Sequence, residues 1–385
     1  EGIKQDKHVD RSQPPARAAR HLDRAIIVIL VFAVGLLLVD KFVLQRQPAE
    51  PVAQSQNLNS VAVLPFDNLS GAQENEYFSD GLTETLLHML AQVPELKVAA
   101  RTSVFAYKDR NEDVRQIADA LDVSTILEGG VQRSGNRVRI TAQLIEAESG
   151  FQLWSQTYDR DLDDIFTVQD EIATHVAGAL TATLLGADTS APLVLSGVGT
   201  TNTAAYEKYL QGLEQKNIGS YGSLPQAEGL FKEALALDPD FIEAKVELAR
   251  TYEMQAGTGL IANAESIVRV TPLLEQVLDD DPAHGLALGK LAWLDWLETI
   301  QRLGPVAPET VAAAERIGDA IELAPNEPEL YRLMATVASN DPQPNKMLEW
   351  LDQAIELDPL SADLHWRRGN HLLYQEEDVE SAEEA

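Results

Sequence analysis

The sequence predicts a membrane-anchored multidomain protein with one transmembrane helix, an α+β domain of order β-α-β-α-β-β-β-α, and an all-α superhelix. Three observations support this fold class. An apolar run stands near the amino end, short strand and helix patterns follow it, and one helix-ending pattern recurs in the carboxyl half. A chain of 385 residues has room for two or three domains of roughly 100–200 residues each.

The composition narrows the functions that are open to this chain. It carries 61 acidic and 30 basic residues, a net charge of −31, so we expect no nucleic-acid binding in this segment. The absence of cysteine excludes disulfides, thiolate metal sites and cysteine nucleophiles. Hydrophobic residues make up 45% of the chain, which is enough to build packed cores. We expect no cofactor.

Residues 25–44 are predicted to cross a membrane. The fifteen residues from 25 to 39 lack a polar side chain, and a helix of the twenty residues to Leu44 would be about 30 Å long. A buried soluble helix and a cleaved signal peptide are the alternatives.

Basic residues predict the orientation of this span, because cytoplasmic flanks are enriched in them. Only Lys41 and Arg46 lie at its carboxyl end, whereas six basic residues precede it: Lys4, Lys7, Arg11, Arg17, Arg20 and Arg24. We therefore expect a cytoplasmic basic segment at 1–24, a linker at 45–59, and residues 45–385 in the periplasm of a bacterium. The membrane would be the bacterial inner membrane.

The pattern over residues 60–185 is typical of a compact α+β domain. Helices are predicted at 77–93, 114–121 and 165–185, and strands at 60–66, 96–100, 125–131, 136–146 and 151–157. The fourth of these strands alternates apolar and polar residues, so we expect one of its faces to be solvated.

Four stretches of this domain resemble a known family. They are SVAVLPFDNLSG (60–71), EYFSDGLTE (76–84), LEGGVQRSGNRVRITAQLI (127–145) and LWSQTYDRDLDDIFTVQDEIA (153–173). In this order they resemble the TolB amino-terminal-like, or FlgO-like, domain of bacterial proteins. The resemblance implies a fold and a position between a membrane segment and helical repeats, and it implies no reaction.

Acidic residues cluster between the last strand and the last helix of this domain, at Asp159, Asp161, Asp163 and Asp164. They could bind calcium, but the glycine and glutamate that an EF-hand loop requires at its sixth and twelfth positions are missing. They could instead cap the following helix, whose amino end favours carboxylates.

After a predicted linker at 186–202, residues 203–385 carry a repeated pattern. Four helix ends share it: FKEALALDP, LEQVLDDDP, IGDAIELAP and LDQAIELDP, whose prolines at 239, 282, 325 and 359 are 43, 43 and 34 residues apart. Thirty-four is the tetratricopeptide period. Small residues such as Ala227 and Ala234 stand where paired helices touch, so the segment resembles a tetratricopeptide array whose last repeat is truncated.

Such arrays stack into a superhelix with a concave groove that binds extended peptides or helices. The family register implies that Arg250, Trp293, Arg332 and Trp366 face this groove. Each of them could equally be a packing or solvated residue. The acidic composition points to a protein or peptide partner of basic character.

Two functions follow as hypotheses. No nucleophile elbow, phosphate loop or zinc-protease motif occurs in the sequence, and the seven histidines are scattered, so we expect no enzyme in this segment. The first hypothesis is a membrane-anchored scaffold or adaptor that binds protein partners. The second is the sensory half of a signalling protein, whose other part would be a winged-helix DNA-binding domain or a class III nucleotide cyclase. Because the sequence starts at Glu1 and stops within a repeat, we expect a longer protein.

Overall fold

The computed structural model describes residues 60–71, 75–93, 96–185, 199–340 and 345–383. These residues belong to one compact unit. It consists of an α+β part, formed by the described residues up to 185, and a helical array, formed by those from 203 onward.

The predicted membrane-anchored fold class is corrected by this structure. None of the helices in these ranges is long and apolar enough to cross a membrane. The buried residues of these helices are mainly apolar, and most of their charged residues are exposed or half-buried. The chain is mainly helical, with a mixed sheet and a tetratricopeptide-like helical part. The same finding contradicts the predicted inner-membrane localisation. The segments 1–24, 25–44 and 45–59 themselves lie outside the described residues.

The α+β part contains six strands and four α-helices. The strands are β1 (Ser60–Val63), β2 (Asp67–Asn68), β3 (Lys97–Val98), β4 (Thr125–Ser134), β5 (Arg137–Glu146) and β6 (Gln152–Asp161). The helices are α1 (Glu76–Ala91), α2 (Arg101–Phe105), α3 (Val114–Leu121) and α4 (Ile165–Leu185). Compared with the predicted order, β2 and α2 are additional. Residues 67 and 68, which follow the predicted first strand, pair with β4.

The sheet has the order β3-β1-β4-β5-β6, and β2 pairs with β4 beside β1. Strand β1 runs parallel to β3 and β4, whereas β4, β5 and β6 form an antiparallel meander. The alternation in β5 has the expected effect, because Val138, Ile140, Ala142 and Leu144 are buried. The residues between them turn to the solvated face.

The helical array consists of four antiparallel helix pairs and a ninth helix. The pairs are α5 and α6 (Thr203–Ile218, Ser223–Leu237), α7 and α8 (Ile242–Gly257, Asn263–Asp280), α9 and α10 (Gly285–Leu303, Pro308–Leu323), and α11 and α12 (Pro328–Ala338, Asn345–Leu357). Helix α13 is Ala362–Glu383. The two 43-residue spacings arise because the helices of the second and third pairs are longer than those of the fourth.

Small residues let the helices of a pair approach closely. A Cβ added to Gly212 of α5 would lie 2.7 Å from the ring of Phe231 on α6, and Phe231 is fully buried. Ala249, Ala292 and Ala335 occupy the same repeat position in α7, α9 and α11 and are also buried. The side chain of Asn202 caps the start of α5 by accepting hydrogen bonds from the amides of Ala204 and Ala205.

Candidate functional site

The first helices of successive pairs, α5, α7, α9 and α11, place charged side chains against one another on the inner face of the array. We call this set the charged cluster. It contains four cations and four carboxylates: Lys216, Arg250, Lys290 and Arg332 with Glu247, Glu253, Glu327 and Glu329. Equal numbers of both signs allow the cluster to be buried without a net charge.

Lys290 of α9 connects the second and fourth pairs. Its ammonium group lies 2.7 Å from Glu253 Oε2 and 2.6 Å from Glu329 Oε1, and the side chain is only 4% exposed. Arg250 of α7 also connects the second pair to the fourth. Its Nη2 atom lies 3.1 Å from Glu327 Oε1 and 3.3 Å from Glu329 Oε2. The cluster thus joins helices that are two repeats apart.

The remaining members extend the cluster to both sides. Lys216 of α5 forms a buried ion pair with Glu247 of α7, and Arg250 Nη1 lies 3.5 Å from the other oxygen of Glu247. On α11, Arg332 Nη2 lies 3.6 Å from Glu329 Oε1. Four pairs of the array therefore share one network of charges along their inner face.

The network controls the ionisation of its carboxylates. Burial alone would raise the pKa of Glu329, but Lys290, Arg250 and Arg332 outweigh it and hold that pKa far below its usual value. For Glu247, the nearby Lys216 and Arg250 likewise outweigh burial and lower the pKa. Burial prevails at Glu327 and raises its pKa, although Arg250 opposes the shift. Glu329 is thus the carboxylate most strongly held as an anion.

The carboxyl end of α1 approaches the turns between the pairs. His88 Nε2 lies 3.8 Å from Glu243 Oε1, while Glu243 Oε2 is buried without a hydrogen-bond partner. Burial raises the pKa of Glu243 to about 8, so its carboxyl group favours the protonated form, whereas the His88 side chain is 48% exposed. A protonated carboxyl group does not form an ion pair with His88.

Another turn between the pairs also contacts the α+β part. Asn326 Nδ2 donates hydrogen bonds to the carbonyl oxygens of Ala91 and Leu96, at 3.0 and 2.8 Å. Ala91 is the last residue of α1, and Leu96 directly precedes β3. The turn that contains Asn326 therefore packs against the α+β part. The repeat pattern did not predict this contact.

The four residues predicted to face the groove have different surroundings. Arg250 and Arg332 are brought together by Glu329, and both are engaged in ion pairs within the chain. The half-buried Trp293 stacks on Trp296 of the same helix, with ring centroids 5.0 Å apart. Trp366 on α13 is 64% exposed. Their role in partner binding stays a prediction.

Sequence reasoning missed Lys290 and Glu329. A charged residue on a helix is usually assigned to the solvated face, and for this reason Lys290 at the centre of the charged cluster was not predicted as a site residue. A signal was present, because Lys290 stands among Leu286, Ala287 and Leu294, which are three or four residues away and mark the apolar side of α9. A lysine within an apolar stripe indicates a buried partner of opposite charge.

The predicted acidic cluster of the α+β part is dispersed. Asp159 of β6 accepts hydrogen bonds from Arg137 and Arg139 of β5, and the Arg137 bond, followed by the Arg139 bond, lowers its pKa. Asp161 precedes a short 3-10 turn without making a side-chain capping bond. Within the described ranges, no group of three acidic or histidine side chains is arranged to hold a metal ion.

Part of this chain is similar to part of a curated protein. The chain is 34% identical over 258 residues to "Putative adenylate cyclase 3" of Rhizobium meliloti (strain 1021). The alignment covers 65% of this chain and 43% of that protein, so the chain spans less than half of the relative's length. No family model matches the chain. The predicted TolB-like resemblance of residues 60–185 finds no support in these comparisons.

Two solved structures align with parts of the chain. One is a thermophilic TPR protein of Thermus thermophilus, with a TM-score of 0.34 and 14% identity, covering 54% of this chain and 94% of that one. The other is MamA 41-end from Desulfovibrio magneticus RS-1, with a TM-score of 0.27 and 19% identity, covering 45% and 90%. At these TM-scores neither alignment carries an argument. The tetratricopeptide-like description depends on the helix pairs themselves.

Proposed function

We propose that this chain is a non-enzymatic scaffold that binds a protein or peptide partner through its helical array. Stacked helix pairs form extended surfaces because each pair contacts mainly its neighbours. A partner of basic character would be attracted by the net charge of −31. The predicted boundaries of the α+β domain at 60–185, the linker at 186–202 and the helical array at 203–385 are part of this proposal.

The observation that carries this proposal is the exposure of Trp366. Tryptophan is enriched among the residues that dominate binding energy at protein interfaces, and 64% of this side chain is exposed to solvent. Arg250 and Arg332 are weaker candidates, because a partner would have to replace the ion pairs that they make with Glu329. We therefore place the main contact on α13 and give Arg250, Arg332 and Trp293 supporting positions.

A photo-crosslinking amino acid at position 366 of the full chain tests the scaffold proposal. The partner identified in this way is purified and titrated against Trp366→Ala and against Phe151→Ala, a control aromatic that is 75% exposed on the α+β part. We expect the first substitution to weaken binding by about tenfold or more and the control by less than about twofold. Equal affinities for the two variants would refute the placement on α13.

The similarity to the Rhizobium protein favours a second candidate function. Because 258 residues align at 34% identity with a protein named as a putative adenylate cyclase, the chain could serve as the regulatory region of a nucleotide cyclase. The test is formation of cyclic AMP from ATP by the product of the complete gene. A product whose cyclic AMP formation changes with Trp366→Ala would support regulation, and a product that forms none would remove this candidate.

A further inference from the structure

Besides the contact of Asn326 described above, the helical array contacts the α+β part where it begins and again near its end. The first of these two contacts is mainly apolar. Leu210 of α5 lies against Gly81 of α1, where an added Cβ would come within 2.3 Å of Leu210 Cδ2. Beside it, Tyr206 is fully buried, and its hydroxyl group lies 3.0 Å from Thr85 Oγ1 and 2.6 Å from Gln169 Nε2. Leu210 and Tyr206 belong to the main hydrophobic core.

The second contact is polar, and we call it the latch. It joins residues 97–103 of the α+β part to residues 356–360, which comprise the end of α12 and the turn that follows it. Its centre is Ser103, whose hydroxyl group donates to Asp358 Oδ1 at 2.6 Å and accepts from the Leu360 amide at 2.9 Å. Ser103 and Asp358 are both buried.

Two further interactions complete the latch. The Ala100 amide donates to the carbonyl oxygen of Leu357 at 2.8 Å, and Lys97 forms an exposed ion pair with Glu356. A small open pocket lies beside them, lined in part by Leu121 and Leu357. The latch is therefore held mainly by hydrogen bonds and is packed less completely than the first contact.

The helices next to the latch have a small core of their own. This second cluster is separate from the main core and is formed by Ala335, Leu351, Ala354 and Leu364. Segments with few buried apolar contacts open at lower free energy than segments in the main core. Helices α12 and α13 can therefore separate from the α+β part without disrupting the core that holds α5 on α1.

We propose that the latch opens and closes in the folded protein while the beginning of the array stays docked on α1. Water replaces the hydrogen bonds of the latch when it opens, whereas separation of the first contact would expose apolar surface without compensation. Opening moves the last repeat away from β3. The motion needs no partner, so it does not depend on the proposed binding function.

Asp358 affects the equilibrium between the closed and the open latch. Burial raises the pKa of Asp358, although the hydrogen bond from Ser103 opposes the shift, so the closed latch disfavours the ionised carboxylate. Asp358→Asn keeps an acceptor oxygen without a charge to desolvate, and it should favour the closed form. Ser103→Ala removes one donor to the Asp358 carboxylate, which keeps those of Thr102 and Ser361, and it also removes the acceptor of the Leu360 amide, so it should favour the open form.

Distances between pairs of spin labels test the proposal on the full chain. Because the sequence has no cysteine, labels can be attached at introduced cysteines alone. Labels at Asp119→Cys and Gln353→Cys report the latch, and labels at Asp119→Cys and Gln226→Cys report the beginning of the array. All three side chains are exposed.

We expect two distances for the latch pair and a single distance for the control pair. Ser103→Ala should raise the ratio of open to closed molecules about fivefold, and Asp358→Asn should lower it about threefold, with the control pair unchanged. One unchanging distance for the latch pair would overturn the proposal, as would parallel changes in both pairs. If circular dichroism shows that Ser103→Ala does not fold, the Asp358→Asn variant provides the test. An unchanged ratio of open to closed molecules in that variant would refute the latch.

Discussion

Lys290 offers the sharpest test of the charged cluster. We predict that Lys290→Met destabilises the protein, because methionine fits a similar volume but leaves two carboxylates without their cation. Breaking a fully buried ion pair on one side costs about 3–5 kcal/mol. Here Glu253 and Glu329 are 36% and 24% exposed, and Glu329 keeps Arg250 at 3.3 Å. Solvent and the remaining cation reduce the expected loss to about 2–3 kcal/mol.

The assay is urea unfolding followed by circular dichroism, with Lys232→Met as the matched control. Lys232 also pairs with a glutamate, at 2.6 Å, but its side chain is 53% exposed. An exposed pair of this kind contributes less than about 1 kcal/mol, so the control should unfold close to the parent protein. The slope of free energy with urea should be unchanged in both variants if only native-state stability is altered.

The double variant Lys290→Met with Glu253→Gln sharpens the result. Glu253 loses its cation in Lys290→Met, whereas Glu329 keeps Arg250 and Arg332, so replacing the Glu253 carboxylate by an amide should recover about 0.5–1 kcal/mol. The interpretation of the cluster is refuted if Lys290→Met lies within about 0.5 kcal/mol of the parent, or if it loses no more than Lys232→Met.

Three further predictions concern single side chains. The pKa of Glu243 is about 8 in the folded protein and 4.5 in the reference state, so its contribution to stability falls as pH rises between these values. Glu243→Gln should therefore raise the melting temperature at about pH 8.5 and change it little at about pH 4.5, and an equal effect at both would contradict this ionisation. Gly129→Ala places a Cβ 2.2 Å from the carbonyl oxygen of Thr141 and should lose about 1–3 kcal/mol in urea unfolding, whereas Gly229→Ala, with no other atom within 4 Å, should gain about 0.5–1 kcal/mol. Phe231→Ala, at a fully buried position, should lose about 3–5 kcal/mol by the same measurement, and a loss below about 1 kcal/mol would contradict its packing role.

Much of the local structure could be predicted from the sequence because local chemistry determines it. Proline cannot continue a helix, and α6, α8, α10 and α12 each end two residues before the proline of the repeated pattern. The alternation in β5 predicted which side chains are buried, since successive residues of a strand face opposite sides. Strand β2 was missed because a two-residue strand leaves no periodicity to detect.

The arrangement of the charged cluster could not be predicted in the same way. Periodicity indicates which side of a helix is buried, but it does not say which distant residue lies opposite. Arg250 and Glu327 are 77 positions apart, and their contact depends on the angle at which successive pairs stack. The family register placed Arg250 and Arg332 on one face without indicating that both would meet the same carboxylate.

The bridge made by Arg250 has a mechanical consequence. A stack of helix pairs flexes through small rotations at each boundary between neighbours, and those rotations are ordinarily independent. Arg250 joins α7 to α11 with α9 between them, so two successive rotations are coupled. The centre of the array is therefore stiff, and compliance is greatest at its final helices. A force that stretches the array from end to end would extend those helices before it altered the curvature at the centre.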